Sequence, residues 1–248
     1  MTHRPSPSPS SALGGALLWT LCILLFPILS GILSAVLSLG TVETLFLQGA
    51  FMLASLAVPL LPPGRRSWRG IGFDRYDREG GKRALHFLPL LVLFVPVAVR
   101  GFAFPSPAYV LGSLFLYLSV GIAEEVYFRA LIPACLQRAF SPRGVILLSS
   151  LLFGGGHIAT AFTAGSGPEV LLTVLNALLF GWLAMEMTAI SHTILPAILL
   201  HFLFDFETKI VAMDGAELLL AQCVRGALLF PGALWLTAVR GKLPAPRP

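Results

Sequence analysis

A chain of 248 residues in which 56% are hydrophobic and only 12% are charged, with a mean hydropathy of +0.84, cannot hide its apolar surface within a soluble domain of that size. The net charge of +5 does not imply nucleic acid, because in so apolar a chain the positions of the basic residues report membrane topology rather than partners. Cys22, Cys135 and Cys223 are odd in number, fall in apolar stretches and show no C-x-x-C spacing, so neither a disulfide frame nor a cysteine metal site follows.

A membrane crossing takes about 20 apolar residues. On that measure the chain is an all-α, polytopic membrane protein with about eight transmembrane helices, at 13–38, 44–61, 84–100, 108–136, 144–161, 169–187, 193–211 and 217–239. The Ser/Pro-rich leader 1–11 reads as disordered. The first span is too long for a signal-peptide core and reads as a retained anchor. Residues 12–240 then form a single transmembrane domain, followed by a short tail, 241–248. The one sizeable polar loop, Pro62–Arg83, mixes Trp68, Ile71, Phe73 and Tyr76 with seven basic residues. That composition suits either a segment lying on an anionic membrane surface or a loop that only sets orientation. No internal repeat is apparent, which argues against the repeated halves common in transporters.

With the N-terminus in the cytoplasm, the inside segments carry Arg4, the seven basic residues of the 62–83 loop, Arg138, Arg143, Arg240, Lys242 and Arg247. The outside segments carry only Arg100 and Lys209. This positive-inside bias requires an even number of spans with both termini cytoplasmic, in an inner cell membrane.

Ionisable residues within spans are costly, roughly 2.5–3.5 kcal/mol each on insertion scales, and mark function or pairing. Glu124 and Glu125 lie in the fourth span with Arg129 one turn later. At 100° per residue Glu125 and Arg129 stack on one face, so the arginine neutralises Glu125, while Glu124 turns elsewhere and is placed to act as a general base on water. A helix-stapling ion pair is the structural alternative. His157 ends the run Phe153-Gly154-Gly155-Gly156-His157, whose glycines admit a close helix neighbour and so would bring His157 against the carboxylate helix. His201 and Asp205 share a face of the seventh span, where the carboxyl can orient the imidazole or present its own oxygen beside it, a polar clamp between helices being the structural alternative. Pro196 is expected to kink that span. His86 and His192 lie at span ends and suggest no chemistry.

The ordered set Glu124-Glu125-x-x-x-Arg129, Phe153-x-x-x-His157 and His201-x-x-x-Asp205 resembles the CPBP family of intramembrane proteases, which includes the type II CAAX prenyl endopeptidases and bacteriocin-processing relatives. The resemblance covers about residues 108–210 and implies an endopeptidase with its active site inside the helix bundle. Its substrate would be a membrane-anchored peptide or protein, cut near its membrane-embedded terminus, and no nucleic acid is implied. By the same resemblance Glu124 and His157 hold and activate the water, His201 and Asp205 stabilise the oxyanion, and Glu125 and Arg129 support them. CAAX-type members tend to carry Asn at the position of Asp205, and an ionised Asp cannot donate to an oxyanion. Two His and a Glu are also a hydrolytic zinc set, but no H-E-x-x-H occurs, and the expectation is a metal-free site without cofactor. A non-enzymatic self-immunity or peptide-binding protein is the alternative reading.

Overall fold

The computed structural model describes residues 8–61, 67, 69–73, 82–162 and 166–243. The long helices are α1 (Pro9–Val36), α2 (Thr41–Ser55), α3 (Pro107–Glu125), α4 (Pro142–Gly156), α5 (Gly167–Ser191), α6 (Leu195–Phe206) and α7 (Gly215–Lys242). Three of them start with the same chemistry. Ser8, Ser106 and Ser141 each precede a proline and accept a hydrogen bond from the amide three residues on, at 3.3, 3.2 and 3.3 Å. The hydroxyl satisfies an amide the helix leaves open, and the proline has no amide to leave open.

The fold is all-α and built to cross a membrane. Among the described residues, five helical stretches are long and apolar enough to span: Pro9–Val36, Thr41–Leu60, Pro107–Leu136, Gly167–Ser191 and Gly215–Lys242. All eight expected segments are helical in part, but the third, fifth and seventh are shorter than a crossing, so the count of eight is not met by length. The third is a 3-10 helix over Leu85–Phe94 followed by one α-turn, Val95–Ala98. Pro89 and Pro96 remove amides there, and a proline-interrupted run cannot sustain the α ladder. Of the expected leader, Pro9–Ser11 already belong to α1, and Gly241 and Lys242 of the expected tail belong to α7; the rest of both lies largely outside the described residues. So does most of the 62–83 loop. Its described part is anchored rather than merely superficial: Ile71 is fully buried, and the Gly72 carbonyl accepts from the Ile194 amide at 3.2 Å.

α2 packs on α3, α3 on α6, α4 on α5 and α5 on α7, with α1 laid across α2 and the end of the α3 run. Two glycines set the closest approaches. A Cβ on Gly121 would stand 3.2 Å from the Ile198 carbonyl of α6, and one on Gly154 would stand 2.8 Å from Leu178 Cβ of α5. The first draws α3 against the helix that carries His201. The second corrects the expectation for the glycine run, whose close neighbour is α5 and not the carboxylate helix.

Beyond Glu125 the helix does not continue as α. Val126–Leu131 is a π-turn, after which Ile132–Leu136 resumes the α ladder. Pro133 explains it: it has no amide, and its ring would collide with the carbonyl four residues back. The Ile132 amide bonds to the Tyr127 carbonyl, the five-residue spacing of a π-turn. The Phe128 carbonyl is thereby deprived of both possible ladder donors, Ile132, which is engaged, and Pro133, which has none. Ser149 of α4 supplies the missing donor, its hydroxyl lying 2.6 Å from that carbonyl.

α6 is likewise shorter than expected. His192, at φ 60°, closes α5 in the left-handed conformation, and α6 starts at Leu195 with Pro196 in its first turn. There a proline costs no ladder bond, so Pro196 starts the helix instead of kinking it.

Candidate functional site

The carboxylate helix, α4 and α6 meet around the imidazole of His201, whose side chain is 5% exposed. Nδ1 lies 2.9 Å from Glu125 Oε1. Nε2 faces Asp205 Oδ2 at 3.5 Å and Glu124 Oε2 at 3.8 Å. Three carboxylates thus surround one ring, two of them on the same nitrogen.

Glu125 is the best-held of the three. Arg129 Nε donates to Oε2 at 2.7 Å and Nη2 to Oε1 at 3.2 Å, both side chains being fully buried. The i,i+4 pairing expected from the sequence is present, in the forked geometry that makes such pairs strong. Because Glu125 accepts from Nδ1, it is Glu125 that fixes the ring of His201. Glu125 thus takes part in the orienting role that the sequence suggested for Asp205, which faces the other nitrogen at 3.5 Å. Glu124 is not turned away from the cluster, but its Oε2 is buried without a hydrogen-bond partner, a group with capacity left for a water or a substrate atom.

His157 caps the end of α4, its Nδ1 2.9 Å from the Phe153 carbonyl. A carbonyl only accepts, so Nδ1 carries the hydrogen and Nε2 is the basic nitrogen of the neutral ring. His157 and Glu124 line one cavity of about 680 Å³ whose far wall is the apolar face of α1, from Ile23 to Ile32. His201 and Asp205 open instead onto a second cavity of about 390 Å³, with Glu169, Asn176, Lys209 and Gln222 in its walls.

Phe153 belongs to both cavities. Its ring is 4.8 Å from that of His157 and 5.8 Å from that of His201, and the Arg129 guanidinium sits 4.6 Å from its centre. The sequence marked Phe153 only as the start of a motif. In the structure it is the partition between the two imidazoles and a cation–π support for Arg129.

Arg225 is a charged residue inside the apolar helix α7. It is fully buried, donates to the Phe204 carbonyl at 2.9 Å, lies 3.4 Å over the Phe204 ring and pairs with Glu207 at 3.2 Å. It therefore braces the end of α6 beside Asp205. The signal was available as an unexplained arginine in an apolar span, the kind that requires a partner. Among the described residues, no group of three or more His, Cys, Asp or Glu side chains is arranged to hold a metal ion.

A polytopic helical membrane protein with an ionisable cluster between its helices is the class this arrangement defines. Residues 105–206 match the family model described as Type II CAAX prenyl endopeptidase Rce1-like. That segment, about two fifths of the chain, contains Glu124, Glu125, Arg129, Phe153, His157, His201 and Asp205, and the match supports the resemblance to the CPBP/CAAX protease family. No curated protein matches the chain. Arg225 and all of α7 lie beyond the matched segment.

Proposed function

We propose that the chain is an intramembrane endopeptidase that hydrolyses a peptide bond of a membrane-anchored substrate near its membrane-embedded terminus, using glutamate and histidine to activate water. The observation that carries this reading is the convergence of Glu124, Glu125 and Asp205 on the single imidazole of His201 at 3.8, 2.9 and 3.5 Å, inside the family-matched segment. The charge distribution supports both termini on the cytoplasmic side of an inner membrane.

In this mechanism a water lies in the cavity shared by Glu124 and His157. Glu124 takes a proton as the water oxygen attacks the scissile carbonyl carbon, and His157 accepts a hydrogen bond that holds the water in line. His201, protonated on both nitrogens between its carboxylates, keeps Nδ1–H on Glu125 and turns Nε2–H to the developing oxyanion. Collapse of the tetrahedral centre breaks the C–N bond, and the proton on Glu124 passes to the leaving amine. Glu125 and Arg129 hold the ring throughout. The hydrolytic zinc alternative would need the carboxylates and imidazoles as metal donors. Yet Glu125 is committed to Arg129 and to His201 Nδ1.

The test is cleavage of a membrane-anchored peptide by purified protein in lipid nanodiscs, with the product masses determined after extensive washing in a strong chelator. Turnover is expected to be unchanged by the chelator. Loss of turnover restored by added zinc, with stoichiometric metal in the active protein, would overturn the metal-free mechanism.

Asp205 supplies a second test. With Glu125 already fixing the ring, Asp205 stands on the oxyanion side of His201, where a protonated carboxyl would donate to the oxyanion and an ionised one would act through its charge on His201. Asp205→Asn keeps a donor and is expected to retain most turnover, whereas Asp205→Ala is expected to lose about 10²–10³-fold. If Asn is as impaired as Ala, the residue acts through its charge on His201, and wild-type turnover in both variants would make it a helix clamp.

A further inference from the structure

We propose that the groove between α4, α5 and α7 binds an anionic phospholipid, its phosphate at Arg143 and Arg240 and an acyl chain along Ile146, Leu147, Trp182 and Leu178. The groove has a volume of about 290 Å³ and shares no lining residue with the two cavities at the candidate site. Its lining is graded along its length. α4 runs inward from Arg143 through Ile146 and Leu147 to Ser150, about 10 Å at 1.5 Å per residue. α5 runs the opposite way, so Glu186 stands at the charged end and Trp182 and Leu178 lie progressively deeper.

The charged end is built and has a surplus cation. Glu186, 1% exposed, receives Arg240 Nε on one oxygen and Arg240 Nη2 at 3.2 Å and Thr237 Oγ1 at 2.9 Å on the other. This neutralises Arg240 and holds its guanidinium rigid at the rim. Arg143 is exposed, and no carboxylate pairs with it among the described residues. Arg138, just before α4, and Lys242, in the last turn of α7, add positive charge at the same end.

Below the arginines the walls offer nothing to a small anion. The Ser150 hydroxyl is engaged with the Ile146 carbonyl at 2.7 Å, the remaining side chains are apolar, and Leu147 is 58% exposed where the groove opens sideways. A free anion fits only the rim, whereas an amphiphile with a negative head fits the whole length. Basic pockets between spans recognise anionic headgroups in this way.

The experiment titrates the purified full chain in neutral detergent with phosphatidylglycerol or phosphatidylcholine carrying brominated acyl chains, and reads tryptophan quenching. Phosphatidylglycerol is expected to quench at a concentration at least fivefold lower than phosphatidylcholine, and this selective quenching is expected to disappear in Trp182→Phe. Arg143→Gln should weaken phosphatidylglycerol binding about fivefold, and Arg143→Glu should abolish the headgroup preference. Arg143 is exposed, so both variants test binding rather than folding. Equal quenching by the two lipids, or selective quenching that survives Trp182→Phe, overturns the proposal. Displacement of phosphatidylglycerol by millimolar inorganic phosphate would identify a free-anion site and also overturn it.

Discussion

Glu124→Gln is expected to reduce cleavage of a membrane-anchored peptide by about 10²–10⁴-fold, the range a positioned general base contributes, while leaving the melting temperature close to that of the wild type. The separation follows from how Glu124 is held. Its Oε2 has no hydrogen-bond partner and lies 3.8 Å from His201 Nε2, so an isosteric amide breaks no bond that the fold depends on. Glutamine cannot take a proton from water and so fails at the first step. Turnover in Glu124→Gln equal to wild type, measured with purified protein and matched substrate, would remove the glutamate from the mechanism.

Glu125→Gln is expected to fail in a different way, losing stability together with activity. Glu125 and Arg129 are both fully buried and doubly bonded, and removing one partner of such a pair strands a charge at a cost of about 3–5 kcal/mol. The amide can still accept from His201 Nδ1, so the ring stays near its place while its charge balance is lost. Thermal unfolding in detergent should show a clear decrease for Glu125→Gln and for Arg129→Met. The double variant should be less destabilised than the two single losses combined, because no charge is then left alone. A wild-type melting temperature in Glu125→Gln would contradict the supporting role.

The polar cluster was readable from the sequence because carboxylates and imidazoles in apolar spans have few reasons to be there. Glu125, Arg129, His201 and Asp205 followed from helix spacing alone. What spacing could not supply was contact between helices. The i,i+4 relation of His201 and Asp205 suggested that they serve one another, yet the closest partner of His201 is Glu125, 76 residues away in the chain. The glycines before His157 announced a close approach without naming the neighbour, and α5 rather than the carboxylate helix fills it. Span length was equally local information: an apolar run through Pro89 and Pro96 scores as a crossing although its backbone winds as 3-10 helix. Arg225 escaped because its partners, Phe204 and Glu207, belong to another helix.

The π-turn at Val126–Leu131 amounts to one surplus residue inside an otherwise continuous rod. Everything that follows it is rotated by roughly 100° relative to an uninterrupted α-helix, so Ile132 and Leu136 face the core and Cys135 meets Gly15 of α1 only in this phase. A straight-helix homologue of this segment would therefore be one residue shorter between the glutamates and the proline.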